Sequence, residues 1–179
     1  LSSYQLISGR DTILLDTMPR RVERSGQGSR TVAYTGTAGG HPIRIAYLVP
    51  GDTSDNYLLH VSATVQNAAP GTAVVIGWTR SLYANEADTV DDLNHPALSY
   101  RARGEVSSVA FSKLDSTDAR IDAGPINWVA TRNKYFVVAY RAQGTPFRGM
   151  RLLGVGRTGK IAEEMRGGGT VTGYAVGRG

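Results

Sequence analysis

The chain has 179 residues, of which 41% are apolar and 20% charged, with a net charge of +5 and no cysteine. These proportions are those of a globular protein long enough to bury a core, and they exclude a collagen, a coiled coil and an acidic disordered tail. Without cysteine there is no disulfide framework, no thiol nucleophile and no thiolate metal site.

Twenty-two glycines, seven prolines and nine tyrosines lean towards turn-rich β structure. In chain order, residues 30–38 and 43–49 flank Gly39-Gly40, which predicts a hairpin, and Pro50-Gly51-Asp52 ends that segment with another turn. Leu59, Val61, Ala63 and Val65 then alternate with His60, Ser62, Thr64 and Gln66, the period of a strand with one buried and one wet face. A turn over residues 67–71 leads to a second strand at 73–78. Residues 84–96 carry Glu86, Asp88, Asp91 and Asp92 and read as a long acidic loop, placed to form the lip of a cleft. Strands are expected over 105–111, 127–130 and 134–141. Phe136 to Tyr140 is apolar on both faces, so this last strand is expected to lie centrally, covered on both sides. Residues 113–124 read as a connection, 161–165 as one helical turn stopped by the glycines at 167–169, and 169–176 as a late strand. No repeat and no linker divides the chain, so residues 1–179 are expected to form one all-β sandwich domain.

The longest apolar run, Tyr135 to Tyr140, falls far short of the ~20 residues of a membrane-spanning helix. The opening LSSYQL has neither an initiator methionine nor a signal peptide, and is expected to belong to a processed chain or an excised fragment. Charge is uneven. Residues 1–122 carry 11 cations and 13 anions, whereas residues 123–179 carry 9 cations and 2 anions. The basic part has the charge to face nucleic acid or anionic lipid headgroups, and a solvated Arg-rich surface is the expected reading. Arg148, Arg151, Arg157, Lys160 and Arg166 lie among glycines without the stacking aromatics of a nucleic-acid module, so no nucleic acid is expected.

Several motifs invite a chemical reading. Gly154-Val-Gly156-Arg-Thr-Gly159-Lys160 has phosphate-loop spacing, but Ile161 stands where the magnesium-binding hydroxyl belongs and no long helix follows, so a glycine-rich turn is expected. His41, His60 and His95 show no metal-ligand spacing, and His60 falls on the wet face of its strand. His95 lies in the acidic loop near Asp91 and Asp92, whose carboxylates are expected to keep that loop solvated. Asp115, Asp118 and Asp122 are of the type used in glycoside hydrolysis, but they fall in the expected connection. No serine sits in a nucleophile elbow. Trp78, Trp128, Tyr135 and Phe136 have the chemistry to line a carbohydrate cleft, although strand spacing favours core positions. No catalytic, metal or cofactor-binding residue is therefore assigned.

Two stretches go further: Tyr57-Leu-Leu-His-Val-Ser-Ala-Thr-Val-Gln-Asn67, and Ile126-Asn-Trp-Val-Ala-Thr-Arg-Asn-Lys-Tyr-Phe136 continuing Val-Val-Ala-Tyr140. Together they resemble the large periplasmic domain of the bacterial membrane protein insertase YidC, with Trp128, Val129, Ala130, Tyr135 and Phe136 matching its W-V-A-x-x-x-x-Y-F segment. Residues 100–111, around Arg103-Gly104, resemble a further strand region of that family.

The resemblance implies a β-supersandwich fold, like that of galactose mutarotases, without enzymatic activity or cofactor. It implies a periplasmic domain cut from a larger membrane protein whose helices hold it at the inner membrane. The implied partners are Sec translocon accessory subunits and nascent membrane proteins, met through exposed strand edges or an aromatic-lined cleft. The alternative is a free-standing carbohydrate-binding or mutarotase-like module with sugar contacts at Trp78 or Trp128.

Overall fold

The computed structural model describes residues 2–26, 30–51, 58–78, 95–110, 118–121, 124–153 and 170–175. The chain divides into two compact units, one built on Tyr4–Val74 and the other on Val75–Val176. The expected all-β class is borne out: among the described residues the only helical element is a single 3-10 turn, and the paired strands run antiparallel.

In the first unit, β1 (Ser2–Ser8) and β2 (Asp11–Leu14) form a hairpin, and the 3-10 turn Leu15–Thr17 follows. Next, β3 (Arg21–Ser25), β4 (Arg30–Ala38), β5 (His41–Val49) and β6 (His60–Val65) build an antiparallel sheet in chain order. The expected glycine hairpin is present, with Ala38 opposite His41 and Gly39 and Gly40 at φ 58° and 79°. Two successive positive φ values make the tight turn whose twist matches the strands, and glycine adopts them without penalty. The period of two is visible in β5, where Ile43 and Ile45 are buried while Pro42 and Arg44 are exposed. It recurs in β6, where Val65 is buried and Ser62 and Thr64 are exposed. Tyr4, Leu6, Leu15, Met18, Ala33, Ala38 and Ala46 are also buried.

After β7 (Ala73–Trp78), with Val74 and Val75 buried, the second unit contains β8 (Ala97–Ala102), β9 (Glu105–Ala110), β10 (Asp118–Ile121), β11 (Ile126–Arg132), β12 (Val137–Arg141), β13 (Met150–Leu153) and β14 (Thr170–Ala175). One sheet has the order β12-β11-β8-β9. Its β8–β9 turn is Arg103-Gly104, at φ 52° and 88°. One face of this sheet supplies the core: Leu98, Ala102, Ile126 and Val129 pack with Phe147 and Met150, flanked by Tyr100, Val109 and Tyr140. A second ladder has the order β10-β13-β14. Paired backbone hydrogen bonds of 2.9 Å tie Ile126 to Phe147 and bring the chain after β12 back to the core.

Two expectations need correction. The run Phe136 to Tyr140 is not a central, doubly covered strand: among the described residues β12 has one ladder neighbour, β11, and its side chains from Val137 to Ala139 are exposed. Residues 113–124 are not merely a connection, because Asp118 begins β10, which pairs with β13 in the register Asp118 to Leu153 and Ile121 to Met150. The expected late strand is present as β14. The glycine-rich segment Gly154 to Lys160, the helical turn at 161–165, residues 84–94 of the acidic loop, and Asp115 and Asp122 lie outside the described residues.

Candidate functional site: an apolar sheet edge

A group of exposed apolar side chains lies where the sequence led one to expect core. The link from β11 to β12 is a tight turn set by Asn133, which is 6% exposed. Its side-chain carbonyl oxygen accepts from the backbone N–H of Tyr135 at 2.9 Å and of Phe136 at 2.7 Å, while its own N–H donates to the Phe136 carbonyl at 3.0 Å. A short polar side chain that bonds the backbone two and three residues on is the usual way to hold such a turn. The turn presents Tyr135 and Phe136 outwards at 56% and 58% exposure, with their rings 6.5 Å apart in an edge-on arrangement. The Lys134 ammonium lies over the Tyr135 ring at 5.6 Å. Tyr135 and Phe136 are thus not core residues, a further correction to the strand-spacing expectation.

Beyond the turn, Val137 and Val138 are 66% and 39% exposed. The hydrogen bond from Ala142 N–H to Asn127 C=O, at 2.9 Å, and the one closing residues 133–136 fix which pairs in this hairpin exchange backbone bonds. Antiparallel ladders alternate bonded and non-bonded pairs. Given the register Val129 to Tyr140 and Thr131 to Val138, the N–H and C=O groups of Val137, Ala139 and Arg141 point away from β11. The strand therefore offers a row of backbone donors and acceptors beside apolar side chains. The edge strand β3 is built differently: all five of its residues are exposed, and they include Arg21, Glu23 and Arg24. Charge along an edge discourages pairing with another chain, whereas an apolar edge invites it.

On the outward face of the same sheet, Trp128 is half-buried and sits in register with Arg101 on β8 and Arg141 on β12. The Trp78 side chain lies outside the described residues. His41, His60 and His95 are each half-buried and dispersed, and among the described residues no three His, Cys, Asp or Glu side chains gather to hold a metal ion. Also among the described residues, no helix is long and apolar enough to cross a membrane.

A second cluster, in the first unit, was not foreseen. The Tyr47 hydroxyl donates to the Tyr4 hydroxyl at 2.9 Å, and the Tyr47 ring meets those of Tyr4 and Tyr34 edge-on at 6.3 and 6.0 Å. The Arg20 guanidinium lies 5.5 Å over Tyr34 and donates to the carbonyls of Met18, at 3.3 Å, and of Asp16. Burial raises the Tyr47 phenol above its ordinary value of 10.0, opposed by its bond to Tyr4. Packed rings and a guanidinium bound to backbone make this a brace fixing β1 and the 3-10 turn to the sheet. Its residues are scattered through the sequence with no local pattern to mark them, and only the fold brings them together.

The chain is similar to the membrane protein insertase YidC of Chlorobaculum tepidum (strain ATCC 49652 / DSM 12025 / NBRC 103806 / TLS), with 33% identity over 109 residues. The match covers 58% of this chain and 18% of the relative, so the chain spans less than a fifth of that protein's length. No family model and no solved structure matches the chain. The three stretches that resemble the insertase family fall on β6, on the β8–β9 hairpin and on the β11–β12 hairpin, the last carrying the apolar edge. The resemblance to that insertase family is borne out by this similarity.

Proposed function

We propose that the 179 residues form a single non-enzymatic interaction domain of a membrane protein insertase, of β-supersandwich type, standing on the periplasmic face of the bacterial inner membrane. In this reading it is one part of a larger protein whose membrane helices lie elsewhere in the sequence. It meets nascent membrane proteins as they emerge, in concert with accessory subunits of the Sec translocon. The observation that carries the proposal is the apolar edge of β12 in a YidC-related chain. An emerging apolar segment needs partners for its backbone groups as well as its side chains, and an open strand supplies both. The outward-facing groups of Val137, Ala139 and Arg141 would pair with an added strand, while Val137 and Val138 cover its apolar side chains.

The test is site-specific photocrosslinking in the full-length insertase during insertion of a model membrane protein. A photoreactive residue at Ala139 is expected to give an adduct recognised by antibody to the inserting protein. The same residue at Val106, which is 64% exposed on β9, is expected to give none. Adducts to a Sec accessory subunit alone would reassign the edge to the translocon. Insertion that proceeds with no adduct at Ala139 would remove the reading.

A further inference from the structure

We propose that the tip of the β11–β12 hairpin, Lys134, Tyr135 and Phe136 with the adjoining Val137, seats in the interfacial zone of an anionic lipid surface. This goes beyond docking of a chain along β12, since it uses the side chains of the turn rather than the outward backbone of the strand.

Three independent features point to lipid. First, the exposure of the rings is built in. Asn133 holds the turn by two accepted hydrogen bonds, so Tyr135 and Phe136 are presented in place rather than ordered on contact. Preorganised side chains lose less conformational entropy when they are taken up. Second, the tip has interfacial chemistry. Tyrosine combines an apolar ring with a polar end, and the exposed Lys134 places a cationic group over that ring, the pairing of chemistries found at headgroup level. Phe136 has no polar atom on its side chain and gains only from an apolar surrounding. Third, the stretch of chain that carries the tip has charge of one sign. Residues 124–153 contain Arg132, Lys134, Arg141, Arg148 and Arg151 and no acidic residue. Of these, Arg132, Lys134, Arg141 and Arg148 are exposed. Each basic side chain near an anionic leaflet adds attraction, and apolar side chains beyond them anchor what the charge gathers. A soluble acidic partner would answer the charge, but it would not need adjacent protruding rings on a turn.

The experiment is co-sedimentation of the 179-residue chain with vesicles of phosphatidylglycerol in phosphatidylcholine, and with phosphatidylcholine alone, at low ionic strength. Binding to the anionic vesicles is expected. The double variant Tyr135→Ser, Phe136→Ser is expected to bind about tenfold more weakly or worse. The variant Val106→Ser, equally exposed but on the opposite edge of the sheet, is expected to bind like the parent. Circular dichroism melts of the variants should superimpose, because the replaced side chains are exposed. Absence of binding to anionic vesicles at low salt would overturn the proposal. So would a folded ring variant that binds as the parent does, or an equal loss in Val106→Ser. The ring variant also separates this idea from the proposed function, because it leaves the outward backbone groups of β12 intact.

Discussion

At Tyr47 a single side chain links local packing to the response of the fold to pH. Burial disfavours the phenolate, so the folded pKa lies above the ordinary value of 10.0, at which the unfolded chain titrates. The native state keeps its proton longer, and the stabilisation is fully present below pH 10 and lost as pH rises through the folded value. Stability is therefore expected to be flat with respect to this group at neutral pH and to fall on the alkaline side. Tyr47→Phe should lose the 2.9 Å bond to Tyr4, costing about 1 kcal/mol at neutral pH. It should also show a shallower alkaline decline. Urea unfolding midpoints between neutral and strongly alkaline pH check both, and a decline as steep as the parent's would show that other groups control it. Glycine offers a contrast of mechanism at the same scale. A Cβ on Gly124 would overlap the backbone carbonyl of Arg148, which has no rotamer to escape into. Gly124→Ala is expected to lower stability by about 2–4 kcal/mol. Gly144 has open space around it but a φ of 81°, so Gly144→Ala should cost only about 1 kcal/mol, through backbone strain. Unfolding curves with unchanged slope would measure the two costs directly.

At the scale of the element, β3 and β12 show two ways to end a sheet. The exposed charges of β3 make a second strand costly to add, whereas the valines of β12 do not. Placing a lysine on that edge, as Val137→Lys, should leave stability within about 0.5 kcal/mol because the native side chain is largely exposed. It should also suppress concentration-dependent self-association through β12, read by light scattering, and weaken crosslinking at Ala139. Scattering unchanged by the substitution would mean that this edge does not drive association. The same pair of strands marks what could be read from the sequence. The Gly39-Gly40 hairpin and the bounds of β4 and β7 were legible because turn chemistry and β-branched runs are local signals. β3 was not, since its residues alternate in no apolar pattern and it exists through its ladder to β4. The run from Phe136 to Tyr140 reads as a strand, but as one at the centre of a sheet, where the structure has an edge. A segment apolar on both faces looks the same whether it is covered by neighbours or left open, and only long-range pairing decides. The candidate site is hidden from the sequence for that reason: its aromatics stand out in the chain, and their exposure does not.

For the whole molecule the decisive property is the uneven distribution of charge, with the excess of cations after residue 123 and the apolar tip in the middle of an acid-free stretch. These two features respond differently to salt. Attraction between the exposed guanidiniums and an anionic leaflet acts over the Debye length, ~10 Å at 0.1 M salt and ~3 Å at 1 M. Burial of Tyr135, Phe136 and Val137 in the interface is a contact effect that added salt does not screen. Binding to phosphatidylglycerol vesicles should therefore fall with ionic strength and then level off at a floor set by the rings. Arg132→Gln with Arg141→Gln should flatten the descent and leave the floor, because both side chains are exposed and the tip is untouched. Tyr135→Ser with Phe136→Ser should keep the descent and remove the floor. A titration that falls to zero for the parent would assign all of the attraction to charge, and the rings would then have to serve another partner. A curve already flat at low salt would assign it all to the rings and leave the basic surface without a part in binding. Two slopes that separate cleanly under the two substitutions would show one surface using charge for approach and aromatic side chains for residence.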